Sequence, residues 1–185
     1  VSSSETESKS LTDIYIRNDA DVSGFFGLPD FDSISYCTGL TIDSCRKFNP
    51  TGKTLVWNPG NGHIVQACKN SAILDLASAD LLQLKASQYN FAGSGKSLHL
   101  PSYSSLENIS QHDYDFIAAT PFFVTKAEIE QEVVQTSLKL LKKKGKLLVS
   151  GKSSDIARIE KIKHGYTIKH SVKYRGFRTL VLEKQ

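Results

Sequence analysis

Two glycines and one carboxylate are the first residues in this chain whose types and spacing suggest chemistry. Thr54-Leu-Val-Trp-Asn-Pro-Gly-Asn-Gly-His-Ile64 is an apolar run that ends in a glycine turn, and Ser71-Ala-Ile-Leu-Asp75 is a second apolar run that closes on an acid. A strand, a turn through Gly60 and Gly62, a short helix and a strand ending in Asp75 make a nucleoside-binding half-unit. Glycine lets the backbone approach a ligand closely, and the carboxylate can accept hydrogen bonds from a ribose diol. Asn58 and Asn61 in the turn and Leu76 beside the acid join these as candidate cofactor contacts. Asp75 has a second role open to it, as the N-cap of the helix that follows.

The elements that would position these residues can be read from hydrophobic period and turn signals. Residues 1–12 are polar and read as a disordered tail, followed by a single domain over 13–185 whose first part, 13–50, is a preamble with a helix from about Ile42 to Phe48. Strands are expected at Thr54–Trp57, Ala72–Asp75, Ser97–Leu100, Asp115–Ala119 and Lys146–Ser150. Helices are expected at Gly62–Lys69, Ser78–Tyr89, Lys126–Lys143 and Ser154–Lys163, with Gly145 as the C-cap of the third. Tyr166–Lys173 and Phe177–Leu182 read as a closing hairpin turned by Tyr174-Arg-Gly176. The fold class is therefore α/β, a Rossmann-like doubly wound sheet, mostly parallel, with a C-terminal antiparallel hairpin and a reversed edge strand. Ligands of such sheets bind beyond the carboxyl ends of the strands. That rule points to Asn58–Gly62, Asp75 and Thr120–Phe123.

Composition narrows the class. The chain has 185 residues, 39% hydrophobic and 23% charged, which suits one soluble α/β domain. No apolar run approaches the ~20 residues that span a bilayer. Cys37, Cys45 and Cys68 are odd in number and unpaired in spacing, so neither a disulfide framework nor a zinc site is expected, and a reducing cytoplasm is. From Lys139 onward there are 14 Lys/Arg against 3 Asp/Glu, whereas the first 138 residues carry 9 against 16. A basic C-terminal third on an acidic body suggests a face that attracts phosphates, RNA being the expected partner; the alternative is a solvated lysine-rich surface, in which Lys142–Lys144 suit the negative end of a helix.

Two motifs lead elsewhere and fail on context. Ala92-Gly-Ser-Gly-Lys-Ser97 has the composition of a phosphate-binding loop, but a helix precedes it and a strand follows, the reverse of what that loop requires. Gly60-x-Gly62 could open a nicotinamide fingerprint, but Val65 stands where its third glycine belongs.

In order and spacing, the glycine turn, Asp75-Leu-Ala-Ser-Ala-Asp-Leu81 with Asn90, Asp115–Phe123 and Lys144–Val149 resemble class I S-adenosylmethionine-dependent methyltransferases. Among them they are most similar to the small-domain group of bacterial ribosomal RNA guanine-N2 methyltransferases (methyltransferase C of the small ribosomal particle), over about residues 20–185. The resemblance implies S-adenosyl-L-methionine as cofactor, with Gly60 and Gly62 passing its methionine moiety, Asp75 holding its ribose and Ser102 near its adenine. It implies a catalytic loop at Thr120, Pro121, Phe122 and Phe123, which in the family reads Asn-Pro-Pro-Phe and works by positioning the target amino group. The chain departs from that pattern at Val56, Asn58, Thr120 and Phe122. Thr offers one hydroxyl and no amide.

Two functions follow. One is an N-methyltransferase acting on a ribosomal RNA base, guanine N2. The other is a catalytically silent methyltransferase-fold module that binds RNA or supports a partner, either a second methyltransferase domain or another copy of itself.

Overall fold

Central strands that are buried on both faces assemble two apolar layers, one on each side of the sheet. The computed structural model describes residues 16–18, 22–92, 98–99, 106–110, 112–120, 127–161 and 165–185. The expected tail at 1–12 lies outside them. Strands β1 (Ile16–Asn18) and β2 (Ser23–Phe25) pair as a small antiparallel ribbon. The main elements follow in the order α1 (Tyr36–Phe48), β3 (Lys53–Trp57), α2 (His63–Ala67), β4 (Ile73–Ala77), α3 (Leu81–Phe91), β5 (Leu98–His99), β6 (Tyr114–Ala119), α4 (Ala127–Leu140), β7 (Leu141–Lys152), α5 (Ser153–Glu160), β8 (Tyr166–Tyr174) and β9 (Phe177–Lys184).

The sheet has seven strands in the order β5-β4-β3-β6-β7-β9-β8. All neighbours are parallel up to β7, and β9 is antiparallel to both β7 and β8. This is the doubly wound sheet with a C-terminal hairpin that the sequence predicts. One detail differs: the reversed strand is β9, and it lies second from the edge. Leu180, Val181 and Leu182 are buried on both faces of β9, so that strand belongs inside the sheet. Thr167, Lys169, Ser171 and Lys173 leave β8 polar and exposed, which suits an edge.

Successive residues of each strand feed opposite layers. Val56, Leu76, Phe116, Ala118, Leu148 and Val181 pack with Ile64, Val65, Cys68 and Leu84 on the α1–α3 side. Leu55, Trp57, Ile117, Leu147 and Val149 pack with Val133, Val134, Ile156 and Ile159 on the α4–α5 side.

Three helix boundaries differ from expectation for local reasons. The first helix begins at Tyr36 rather than near Ile42, because the Ser35 hydroxyl caps it by accepting from Thr38 N–H. Apart from Ile42, its buried face is made of Cys37, Thr38, Thr41, Ser44 and Cys45, small residues that hide the apolar period. The third helix begins at Leu81, since Asp80 rather than Asp75 is its N-cap and accepts from Leu82 N–H at 2.9 Å. The fourth ends at Leu140. Gly145 is therefore not a helix cap but a buried strand residue. Tyr114 pairs with Leu141 and Phe116 with Lys146, so Lys142–Lys144 bulge out between them, with Lys144 at φ 64°. A Cβ on Gly145 would lie 2.8 Å from Tyr114 O and 2.9 Å from Lys142 O.

The bulge is fastened to β6 electrostatically. Asp115 ion-pairs with Lys142 and accepts Lys53 N–H at 2.8 Å. Partial burial pushes the Asp115 carboxyl up, but the Lys142 ammonium and the Lys53 N–H outweigh it and hold the group below the usual aspartate range.

Two measurements test this region. Gly145→Ala forces a methyl against backbone oxygens and should lower urea-unfolding stability by about 1–3 kcal/mol, while Gly39→Ala, inside α1 with open space at its Cβ, should cause no loss. A carboxyl with a depressed folded-state pKa contributes stability above its unfolded pKa and loses it as pH falls through the folded value. The melting temperature should therefore drop on acidification below the ordinary aspartate range, and Asp115→Asn should flatten that dependence.

Candidate functional site

The carboxyl ends of β3, β4 and β6 meet at one point, and Asn58 occupies it. Asn58 follows β3 in the left-handed region at φ 57°, a conformation tolerated by Asn and favoured by Gly. Its N–H donates to Ala77 O of β4 at 2.9 Å, and its side chain accepts from the Ser78 hydroxyl at 3.0 Å. Toward β6, its Nδ2 donates to Thr120 O at 3.4 Å, and the Thr120 hydroxyl donates to Asn58 O at 2.7 Å. Asn58 is 8% exposed and Thr120 1%. The residue at the head of the expected catalytic loop is therefore turned inward, and both its carbonyl and its hydroxyl are engaged by Asn58.

The rest of the turn is held just as closely. Gly60 N–H donates to Gln83 Oε1 at 3.1 Å, and Gln83 in turn reaches the Asp80 carboxylate at 3.4 Å. Gly62, at φ 102°, begins α2 and approaches α3 so nearly that a Cβ would stand 3.2 Å from Ser87 Cα. Asn61 is 1% exposed and faces the preamble: it donates to Pro29 O at 2.6 Å and accepts from Phe25 N–H at 2.9 Å. Asn90 completes that clamp, bonding Asn61 O at 2.7 Å and both backbone groups of Ser23.

Asp75 lies elsewhere. It is the middle residue of β4, two short of the strand's carboxyl end, and its side chain belongs to the α4–α5 layer opposite Leu55. It is 1% exposed and accepts the Tyr114 hydroxyl at 2.6 Å. Lys53 Nζ covers the Tyr114 ring 4.5 Å from its centroid. This carboxylate lies inside the sheet rather than at its carboxyl edge, and it does not cap α3. Leu76 is likewise buried, in the α1–α3 layer. Ser102, Pro121, Phe122 and Phe123 lie outside the described residues.

The structure thus gathers Asn58, Gly60, Asn61, Gly62 and Thr120 at one edge and leaves Asp75 and Leu76 in the interior. Sequence reasoning missed Ser78, Asp80, Gln83 and Tyr114. Asp80 before Leu81-Leu82 was the one readable signal, as an N-cap pattern.

The fit of these residues to S-adenosylmethionine is poor. Among the described residues, the space between the turn, Pro29, Asp30 and Thr38 amounts to about 10 Å³, room for a single water, whereas small-molecule sites are on the order of 300–1,000 Å³. A roomier cleft of about 620 Å³ runs between α1 and α2, past Ile42, Arg46, His63, Gln66 and Lys69. Among the described residues no cluster of His, Cys, Asp and Glu is arranged to hold a metal. Burial, with a smaller push from Asp30, raises the Cys37 thiol to about 12, so it carries no thiolate. No described helix is long and apolar enough to cross a membrane.

No protein-family model matches the sequence, and no curated protein does. Solved structures do match. TrmN from Thermus thermophilus aligns with a TM-score of 0.65 at 18% identity, over 78% of this chain and 48% of that one, so the chain spans about half of TrmN's length. A putative RNA methyltransferase, PH1948 from Pyrococcus horikoshii, aligns at 0.65 and 9% identity, over 78% and 80%. Magnesium protoporphyrin IX methyltransferase from Synechocystis PCC 6803, solved with bound S-adenosylmethionine, aligns at 0.64 and 12% identity, over 83% and 86%. The fold is that of class I methyltransferases, and at these identities the likeness shows the fold alone.

The Asp75–Tyr114 pair yields a stability prediction. Tyr114→Phe removes a hydrogen bond from a buried carboxylate and should cost about 1–3 kcal/mol in chemical denaturation. The double variant Tyr114→Phe/Asp75→Leu should recover part of that loss; a strictly additive double variant would show the two side chains to be energetically independent.

Proposed function

We propose that this domain is a catalytically silent methyltransferase-fold module, which binds RNA and supports a catalytic partner domain. The observation that carries the reading is the network around Asn58. The groups that a methyltransferase of this fold would turn toward cofactor and target base bond to partners within the domain here. Thr120 is directed at Asn58, Gly60 N–H at Gln83 and the Asp75 carboxylate at Tyr114. Apolar positions that build the sheet are retained throughout both layers, while the polar positions at its carboxyl edge serve cohesion.

RNA as partner rests on the basic C-terminal third and on the class of neighbours with this fold, one of which is described as a putative RNA methyltransferase. Part of that basic charge is neutralised internally. Lys146 and Lys169 pair with Glu183 at 3.6 and 3.1 Å, and Arg178 pairs with Glu160 at 2.7 Å. Lys143, Lys152, Lys161, Lys173 and Arg175 are exposed. They offer point charges to a phosphate backbone.

A second reading is favoured by one feature. Gly60 sits at φ 59° with nothing within 4 Å of where a Cβ would project, the openness that a backbone needs to meet a ligand. On that reading the chain is itself an S-adenosylmethionine-dependent N-methyltransferase of a ribosomal RNA base, guanine N2.

Isothermal titration with S-adenosylmethionine and with its demethylated product separates the two. The silent module gives no binding heat at millimolar ligand. Affinity in the micromolar range, about −8 kcal/mol or tighter, together with methyl transfer to an RNA fragment, would overturn it in favour of the enzyme.

A further inference from the structure

Where the RNA would be held is a separate question from whether a cofactor binds, and the tip of the β8–β9 hairpin bears on it. Lys152, the last residue of β7, pairs with Phe177, the first of β9, so the tip stands at the same carboxyl edge of the sheet as Asn58 and Thr120. There it meets the N-terminus of α1. Tyr174 and Tyr36 pack edge-to-face with ring centroids 5.4 Å apart, and each remains 49% exposed. The guanidinium of Arg175 covers both rings, 5.4 Å from the Tyr36 centroid and 5.7 Å from that of Tyr174, and its Nε donates to the Tyr174 hydroxyl at 3.3 Å.

Burial does not account for this cluster, because half of each ring stays in water. Turn geometry does not require it either. The two-residue turn Arg175-Gly176 has φ 44° and 85°, and its first position favours Asn, Asp or Gly over Arg. An arginine held in the left-handed region so that its planar cation lies over two exposed tyrosines is backbone strain placed at a surface feature. Lys152 and Lys173 flank it, both exposed. The acid on the adjoining helix α5, Asp155, is engaged by Arg158 at 3.7 Å and by the Ser154 hydroxyl.

We propose that Tyr36, Tyr174 and Arg175 form a stacking platform for unpaired RNA bases, with Lys152 and Lys173 at the flanking phosphates. This deepens, and rests on, the reading of the domain as an RNA-binding module. Single-stranded RNA is the occupant that fits, since its splayed bases stack on aromatic faces and guanidinium planes while its backbone requires cations alongside. A-form duplex hides those base faces.

The experiment is fluorescence anisotropy of the whole chain with a fluorescein-labelled, unstructured RNA of about 12 nucleotides and with its duplex, at one fixed salt concentration. The single strand should bind more tightly than the duplex. Tyr36→Ala and Tyr174→Ala should each weaken it by about 5- to 100-fold, while Tyr36→Phe and Tyr174→Phe should stay within about twofold of the parent. Photocrosslinking of the unaltered protein to 4-thiouridine RNA should mark the peptides that carry Tyr36 or Tyr174. RNA binding that is indifferent to both tyrosine truncations, or crosslinks confined to the Lys142–Lys146 bulge, would overturn the platform and leave RNA binding by the module intact. No RNA binding by the unaltered chain would overturn both.

Discussion

Three strands of the central sheet end on one asparagine. Asn58 bonds to Ala77 and Ser78 beyond β4 and to Thr120 beyond β6, while it leaves β3 through a left-handed turn. Every polar group at that junction is buried or nearly so, and an unpaired one would cost about 1–3 kcal/mol. The junction is therefore stable only as a complete set. Its completeness fixes the direction of the Thr120 hydroxyl, the path of the glycine turn and the seat of α3.

The same junction shows how the sheet and the polar residues at its ends are built by separate sets of side chains. The apolar residues that select this strand order point above and below the sheet, and they are indifferent to what happens at the strand ends. Polar residues at the ends are free to turn outward to a ligand or inward to one another. In this chain Asn58, Ser78, Gln83 and Thr120 turn inward, and Asn61 and Asn90 bind the preamble to the sheet. Among the described residues of that edge, the hairpin tip and the start of α1 present an aromatic and cationic surface.

Much of the architecture was legible in one dimension. The runs Thr54–Trp57 and Asp115–Ala119 announced strands, Gly60 and Gly62 announced the strand-to-helix turn, and Arg175-Gly176 announced the hairpin. What stayed hidden had physical causes. The first half of α1 was masked by its small polar buried face, and the bulge at Lys142–Lys144 read as helix because lysine favours both a helix end and an exposed loop. The place of β9 inside the sheet followed from burial on both faces, a property that its sequence shares with any apolar strand.

The sequence by itself determined the doubly wound sheet, because burial depends on the local period of apolar residues. It also determined where the glycine turn falls, because only a few residue types accept left-handed backbone. Tertiary structure alone decided what the polar residues do. Asn58 and Thr120 are 62 positions apart and Asp75 and Tyr114 are 39 apart, and such partners are set by strand register, not by neighbouring sequence. Asp75 ends an apolar run in the sequence, yet β4 continues two residues past it. Those two residues separate a carboxylate at the sheet's edge from one bonded inside its core.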